Sequence, residues 1–223
     1  MENSVVAEKK VEPSIRQLKI SKKSSFVFMG CKHCGKTTQG NAVAKKTGAK
    51  FFDVDSVIEE MTGVAPRTIY SEQGLLAFKS AETAACNKII LDNSKDKDGH
   101  LIIRKPLIIS AGGGLCDNGG ALKILNDVRE KGLDLIYVFL RLDIQFSIER
   151  IMENVSEVKP GVYTGLPAYV AEKEPSSLND VRKILADKFN ERTAKYEKLA
   201  DIIIDIKNAP IEENFNSIIR ALH

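Results

Sequence analysis

The sequence has no long apolar run. No stretch approaches the ~20 apolar residues that a helix needs to span a bilayer. The N-terminal segment Met1–Lys23 also lacks the apolar centre of a secretion signal. The net charge is only +3 at pH 7, so neither nucleic acid nor an anionic membrane surface is required as a partner. We therefore expect a cytoplasmic enzyme without nucleic-acid or membrane partners, and we expect it to be a monomer.

Cysteine is scarce, with only Cys31, Cys34, Cys86 and Cys116 in the chain. Cys31 and Cys34 form a C-x-x-C pattern with a histidine inside it, which is compatible with a metal or redox site. A structural zinc site needs four ligands, and no second ligand pair follows at a useful spacing. We interpret the pair as incidental to another motif, although a thiol beside a helix N-terminus can have a lowered pKa and react easily.

The length and composition of the chain limit the number of domains that it can form. A chain of 223 residues, 43% hydrophobic and 28% charged, suits one α/β domain with a substantial core. Residues 1–24 are polar and rich in lysine, which predicts a disordered extension before a single domain at 25–223. Residues 92–104 are predicted to be an insertion. The glycines and prolines of 155–175 predict an irregular, mobile segment that covers a site as a lid.

The stretch Gly30–Thr37 reads G-x-x-x-x-G-K-T, the Walker A phosphate-binding loop. An apolar strand, Ser25–Met29, precedes it, and a segment that can form a helix, 38–46, follows it. Gly48 can cap the end of this helix. That context supports the motif, because glycines let successive N–H groups turn toward a phosphate and the helix adds its positive end. In this motif Lys36 reaches the β- and γ-phosphates of a nucleoside triphosphate, and the Thr37 hydroxyl binds Mg²⁺.

A predicted second strand, Ala49–Asp55, ends in two acids. Asp53 and Asp55 are two residues apart, and alternate residues of an extended chain point to the same side. Both carboxylates can then reach the edge of the sheet where ligands bind. The alternative is that Asp55 only caps the following helix.

Further candidates lie downstream. Three glycines, Gly112–Gly114, follow a predicted buried strand, where they allow the backbone to approach a ligand closely or simply make a tight turn. A predicted helix at Thr68–Asp92 carries Lys79 and Glu82 one turn apart, which is also typical of a surface ion pair. Two other predicted helices, Asp143–Asn154 and Leu178–Leu199, carry Arg150 and Arg192.

Taken together, these residues resemble the shikimate kinase family. The resemblance runs from about Ser25 to the C-terminus. It depends on the Walker loop, Asp53-Val54-Asp55, Gly112–Gly114, and Glu191–Tyr196 followed by Ala200-Asp201. It implies a three-layer α/β/α P-loop fold with a five-stranded parallel sheet and a mobile lid. It also implies a kinase that uses ATP and Mg²⁺ to phosphorylate the 3-hydroxyl of shikimate, a step of aromatic amino acid biosynthesis.

The resemblance implies a role for each matching position. Lys36 and Asp55 are the expected catalytic residues, and Thr37 and Asp53 the expected Mg²⁺ ligands. The expected ATP-binding residues are Gly30, Cys31, Lys32, His33, Cys34, Gly35, Lys36, Thr37, Thr38 and Arg150. The expected substrate-binding residues are Asp55, Lys79, Gly112, Gly113, Gly114 and Arg192.

The sequence departs from the family pattern at three places. Leu75 stands where the family usually has an acid after the glycine of the helix that carries Lys79. Lys79 stands where the family has a substrate-binding arginine, which keeps the charge but not the planar two-pronged grip. The lid of the family carries an arginine beside Pro-Leu-Leu, whereas residues 151–181 contain no arginine here. Lys159 or Lys173 could replace it; a complete loss could cost on the order of 10³ in rate. Two alternatives therefore stay open: a kinase for another hydroxylated carboxylate such as a sugar acid, or a catalytically silent nucleotide-binding module.

Overall fold

A five-stranded parallel sheet forms the centre of the computed structural model, which describes residues 20–94 and 105–222. The predicted extension at 1–24 and the predicted insertion at 92–104 therefore fall largely outside the described residues. In spatial order the strands are β2 (Lys50–Asp53), β3 (Leu107–Ser110), β1 (Ser25–Met29), β4 (Leu135–Leu142) and β7 (Ile202–Ile206). The predicted five-stranded parallel sheet is confirmed.

The strand order places β1 between β3 and β4. Phe26 is paired with Ile108 of β3 on one side and with Ile136 of β4 on the other. All five residues of β1 are buried. A strand that is covered on both faces needs a continuous apolar run, and Ser25–Met29 supplies one.

Helices cover both faces of the sheet. They are α1 (Lys36–Thr47), α2 (Val54–Thr62), α3 (Pro66–Ser94), α4 (Gly119–Glu130), α5 (Ile144–Met152), α6 (Ala168–Ala171), α7 (Leu178–Leu199) and α8 (Ile211–Ala221). Val27 and Met29 face a core shared with α2, α3 and α4. Phe26 and Phe28 face the opposite core, shared with α1 and α8. This alternation produces the three-layer α/β/α arrangement that the sequence predicts. No helix of the described ranges has the length and apolar character of a membrane span.

The element boundaries beside the first loop follow local chemistry. Helix α1 ends at Gly48, whose left-handed conformation (φ 75°) lets its N–H bond to the Ala44 carbonyl, as predicted. The second strand is shorter than predicted, because the chain turns into α2 directly after Asp53. The Asp53 carboxylate caps that helix by accepting from the Ser56 N–H at 3.2 Å.

Helix α3 differs from the predicted continuous helix. Its backbone breaks at Gly74, which has φ 84° and ψ 176°, so two helices meet there at an angle. Glycine adopts this conformation without a side-chain clash. The helix also continues to Ser94, so it includes the first three residues of the segment 92–104 that was predicted to be an insertion.

The segment 155–175 has more regular structure than predicted. It contains an antiparallel hairpin of β5 (Ser156–Lys159) and β6 (Val162–Thr164), followed by the short helix α6. Leu166 and Val170 are buried in a third apolar cluster with α5 and α7. The prediction of an irregular segment was therefore wrong, because these apolar side chains fix it against two helices.

We predict that Gly30→Ala destabilises the fold more than Gly48→Ala does. Both glycines have positive φ, but a Cβ on Gly30 would lie 2.6 Å from the Leu140 carbonyl oxygen, whereas a Cβ on Gly48 meets nothing within 4 Å. The expected loss of unfolding free energy is about 2–5 kcal/mol for Gly30→Ala and about 1–2 kcal/mol for Gly48→Ala. Urea unfolding measures both. Equal losses would contradict the proposed close contact between the loop and β4.

Candidate active site

The loop between β1 and α1 surrounds the Lys36 ammonium. Lys36 is only 8% exposed, and its Nζ donates to the carbonyl oxygens of Gly30 and Cys31, each at 2.9 Å. Gly30 (φ 149°), His33 (φ 67°) and Gly35 (φ 93°) all have positive φ. A loop of this shape turns backbone N–H groups inward and suits a bound phosphate.

Three oxygen-bearing side chains meet beside this loop. Thr37 Oγ1 donates to Asp53 Oδ2 at 2.6 Å and lies 3.2 Å from Ser110 Oγ. These residues come from α1, β2 and β3, whose ends meet at one edge of the parallel sheet. Hydroxyl and carboxylate oxygens are the ligands that Mg²⁺ prefers, so the predicted pair Thr37 and Asp53 fits a magnesium ion.

Asp55 reaches the same edge by another route than predicted. It lies in the first turn of α2 rather than at a strand end, and Asp53, not Asp55, is the N-cap. Enclosure by the surrounding protein raises the pKa of the Asp55 carboxyl. The negative charge of Asp53 raises it further, whereas Lys36 and Lys32 act in the opposite direction. A carboxylate with a raised pKa is suited to accept a proton.

Two cavities meet at the phosphate loop, and His33, Lys36 and Thr37 line both of them. The smaller, of about 370 Å³, is also lined by the predicted ATP-binding residues Cys34, Gly35, Thr38 and Arg150. The larger, of about 1040 Å³, is also lined by the predicted residues Lys32, Asp53, Asp55, Lys79, Gly112, Gly113, Gly114 and Arg192. The loop therefore stands between two spaces that can hold two different molecules.

Arg150 ties the phosphate loop to the end of the sheet. Its Nη1 donates to the His33 carbonyl oxygen at 2.6 Å, and its Nη2 donates to Asn208 Oδ1 at 2.9 Å. Asn208 follows β7, so the guanidinium bridges two loops at the wall of the smaller cavity.

Gly30 and Cys31 do not line either cavity among the described residues, although both were predicted to bind ATP. A side chain on Gly30 would contact β4, as described above. The Cys31 side chain is buried in the apolar cluster of α5 and α7. Burial, with the neighbouring thiol Cys34, raises the pKa of Cys31 to about 11, so the prediction of a lowered thiol pKa was wrong for this residue.

Arg192 also lines the larger cavity. Its Nε donates to Asp117 Oδ2 at 3.0 Å, and its guanidinium lies 5.4 Å from the centre of the Tyr169 ring. Its Nη2 would be 2.9 Å from a Cβ on Gly114, so the glycine leaves room for the guanidinium. Asp117 therefore holds one edge of the guanidinium, and the Tyr169 ring lies against one of its faces. The remaining N–H groups of Arg192 can bind a carboxylate.

Asp117 is a site residue that was not predicted from the sequence. Lys195 and Lys188 also contact its carboxylate, at 2.6 Å and 3.1 Å. Burial by itself would raise the pKa of Asp117, but the hydrogen bonds from Lys195 and Arg192 and the Arg192 charge outweigh it and hold the pKa well below its usual range. No pattern marks this residue, because its partners lie about 70 residues further along the chain.

Glu82 is a second residue whose place was not predicted. It is 1% exposed, and its Oε2 accepts from Asn118 Nδ2 at 2.8 Å, so it is not half of a surface pair with Lys79. Its Oε1 has no hydrogen-bond partner among the described residues and would lie 2.5 Å from a Cβ on Gly112. Burial raises the pKa of Glu82. Helical spacing from Phe78 and Cys86 places it on the buried face, a signal that the sequence contains.

Comparison with known proteins finds a matching family model and similar proteins. A family model described as shikimate kinase matches residues 32–223. The shikimate kinase of Chromobacterium violaceum is 28% identical over 200 residues, which cover 89% of this chain and 87% of that protein. The shikimate kinase of Streptococcus gordonii is 28% identical over 198 residues, covering 89% of this chain and 99% of that protein.

Solved structures share the fold. Shikimate kinase from Acinetobacter baumannii in complex with shikimate aligns with a TM-score of 0.63 at 21% identity, covering 88% of this chain and 91% of that one. A gluconokinase from Sinorhizobium meliloti aligns with a TM-score of 0.51 at 17% identity, covering 90% of this chain and 91% of that one. At these identities the likeness concerns the fold alone.

We predict that Asp117→Asn lowers the unfolding free energy near pH 7 by about 2 kcal/mol, because three cations lose their common carboxylate. The folded-state pKa of Asp117 is lowered. Its contribution to stability is therefore present above the ordinary value of 3.8 and is lost as pH falls through the folded value. The difference between the variant and the unaltered chain should then shrink below pH 4.

Chemical unfolding between pH 3 and pH 8 measures this effect. Asp127→Asn is the matched control, because it removes an aspartate from an exposed pair with Lys123 on α4, where a loss below about 1 kcal/mol is expected. A difference for Asp117→Asn that stays constant over this pH range would contradict the ionic network.

Proposed function

The chain belongs to the shikimate kinase family, whose members are ATP-dependent kinases, and on that premise we propose that it transfers the γ-phosphoryl group of ATP to the 3-hydroxyl of shikimate. The observation that carries this proposal is the position of the phosphate loop between two cavities. Phosphoryl transfer needs a donor and an acceptor on opposite sides of the γ-phosphate, and its catalysis is mostly a matter of positioning and charge.

The smaller cavity suits the nucleotide. Arg150 forms its wall and already holds the His33 carbonyl, so it would lie beside the base of ATP. The loop amides and the Lys36 ammonium would bind the β- and γ-phosphates at the junction of the cavities. Thr37 and Asp53 would hold Mg²⁺, which neutralises phosphate charge when it is bound.

The larger cavity suits a hydroxylated carboxylate. Arg192 would bind the carboxylate through the N–H groups that Asp117 does not use. Gly113 and Gly114 would let the backbone approach the ring, and Lys79 would add a second cation to this wall. Asp55 lies between this wall and the phosphate loop, where it would orient the attacking hydroxyl and accept its proton.

The segment 155–175 would act as a lid over the acceptor. Four residues of this segment line the larger cavity: Pro167, Ala168, Tyr169 and Glu172. A cover at this position would keep water from the γ-phosphate, which would otherwise hydrolyse ATP. We also propose that the protein acts as a monomer in the cytoplasm.

A sugar acid or another hydroxylated carboxylate is the second candidate acceptor. Lys79 favours it, because an ammonium binds a carboxylate without the fixed two-pronged geometry of arginine. Arg192 and Asp55 suit either acceptor, because both acceptors carry a carboxylate for Arg192 and a hydroxyl for Asp55. A silent nucleotide-binding module is less well supported, because the positions of Lys36, Thr37, Asp53, Asp55 and Arg192 are all suited to catalysis.

A coupled assay for ADP tests the proposal. We expect ADP formation with ATP and Mg²⁺ to depend on shikimate, and gluconate and other hydroxylated acids to give much lower rates. Faster turnover with another acid would favour the second candidate. ATP binding without turnover on any acceptor would overturn the kinase proposal.

We predict that Asp55→Asn lowers kcat by about 10²–10⁴-fold while ATP binding is retained, because the amide cannot accept the proton. The exposed residue Asp187 on α7 provides the matched control, Asp187→Asn, which should leave kcat unchanged. Steady-state kinetics and calorimetry with ATP measure the two effects. A kcat for Asp55→Asn close to that of the unaltered chain would contradict the assigned role.

The raised pKa of Asp55 also predicts a pH profile. Asp55 accepts a proton only when it is ionised, so kcat/KM should increase as pH rises through this pKa. The midpoint of the acidic limb should lie above the ordinary carboxylate value of about 4. A profile of kcat/KM against pH checks this, and a midpoint at or below the ordinary value would be inconsistent with the enclosed position of Asp55.

A further inference from the structure

The proposed reaction needs positive charge around the transferred group, and the lid segment offers little of it. Negative charge spreads over the equatorial oxygens of the γ-phosphoryl group as it moves, and cations that bind them lower the barrier. Residues 151–181 contain no arginine. Lys159 lies exposed on β5 and lines neither cavity described above, while Lys173 lines the larger one.

Arg67 lines the larger cavity and contacts the lid segment. It is the second residue of α3, and it lines this cavity together with Lys32, Lys36 and Asp55. Its Nη2 donates to the Leu166 carbonyl oxygen at 3.0 Å. Leu166 directly precedes Pro167, so the guanidinium lies against the part of the lid that covers the cavity.

The charge of Arg67 acts on the phosphate loop. Burial lowers the pKa of Lys32, and the largest charge effect that adds to this lowering comes from Arg67. Asp55 acts on Lys32 in the opposite direction, and Lys36 lowers its pKa further. Arg67 is therefore close enough to the loop to act on its charges, and it faces the same space as the proposed proton acceptor.

Most donors of Arg67 remain available. The arginines that form ion pairs within residues 20–94 and 105–222 are Arg129, Arg141, Arg182 and Arg192, and Arg67 is not among them. A guanidinium has five N–H donors, and the bond to Leu166 uses one. The others can bind phosphoryl oxygens.

The position of Arg67 is reinforced one turn further along α3. There the Tyr70 hydroxyl donates to Glu172 Oε2 at 3.3 Å. The first two turns of α3 are thus joined to the lid at Leu166 and at Glu172, on both sides of α6. These two bonds would keep the guanidinium over the cavity when the lid covers it.

We propose that Arg67 is a catalytic residue that binds the transferred phosphoryl group, in place of an arginine in the lid. The proposal rests on the proposed function above. In the step, the acceptor oxygen forms a bond to the γ-phosphorus and the bond from this phosphorus to the bridging oxygen of ADP breaks. The hydroxyl proton passes to Asp55, and the electron pair of the broken bond stays with ADP. Arg67 donates hydrogen bonds to the equatorial oxygens mainly in the transition state, where their negative charge is spread most widely.

Replacement of Arg67 tests the proposal. We expect Arg67→Ala to lower kcat by on the order of 10³-fold, as the loss of a charge-stabilising arginine does in other phosphoryl transfers. Dissociation constants for ATP and shikimate should change by less than about threefold, because the interaction forms mainly in the transition state. Arg67→Lys should recover part of the rate. Lys159→Ala, which removes a lid cation that lines neither cavity, is the control and should keep the rate of the unaltered chain.

A transition-state analogue separates catalysis from a structural role. Binding of aluminium fluoride to the complex with ADP, Mg²⁺ and shikimate should weaken in Arg67→Ala and remain in Lys159→Ala. A kcat for Arg67→Ala within about fivefold of the unaltered chain would overturn the proposal. It would also be overturned if Arg67→Ala weakened shikimate binding and thermal stability but left analogue binding intact, because Arg67 would then only hold the lid.

The same experiment keeps the two proposals apart. If the unaltered chain forms no ADP with shikimate, the proposed function fails. Aluminium fluoride binding to the ADP complex, compared between the unaltered chain and Arg67→Ala, then still decides the role of Arg67. Weaker binding in the variant supports it, and equal binding overturns it.

Discussion

Hydrogen bonding of β1 on both sides is the constraint on which the site depends. Parallel pairing with β3 and β4 fixes the end of β1 at the centre of the sheet. The phosphate loop that follows β1 must therefore lie between the loops that follow the neighbouring strands. Gly113 follows β3, and a Cβ on it would lie 3.3 Å from the backbone nitrogen of Lys32 in the phosphate loop. This closeness brings the two cavities together at Lys36, so the arrangement of the site follows from the strand order.

Local patterns predict much of this arrangement. The apolar run of β1, the glycine loop and Gly48 at the end of α1 are features of adjacent residues, and the structure confirms them. The boundaries of α7 are also those predicted, because the apolar periodicity of this segment is strong. Thr37, Asp53 and Asp55 are brought to one edge as predicted, although Asp55 arrives on a helix.

The remaining features depend on contacts between distant residues, which single-sequence patterns do not encode. Asp117 forms its ion pairs with Arg192 and Lys195, and Arg67 is positioned by a hydrogen bond to Leu166, a residue 99 positions away. The segment 155–175 packs on α5 and α7 through Leu166 and Val170. Glu82 is the exception, since its helical spacing already placed it on the buried face.

Phosphorus NMR of the complete reaction tests the central claim most directly. This claim is that a phosphate loop between two cavities passes the γ-phosphoryl group of ATP to a hydroxyl of shikimate. Incubation with ATP, Mg²⁺ and shikimate should produce a phosphomonoester resonance that grows in step with ADP, with little inorganic phosphate. Formation of ADP with inorganic phosphate alone, or no loss of ATP, would contradict the account.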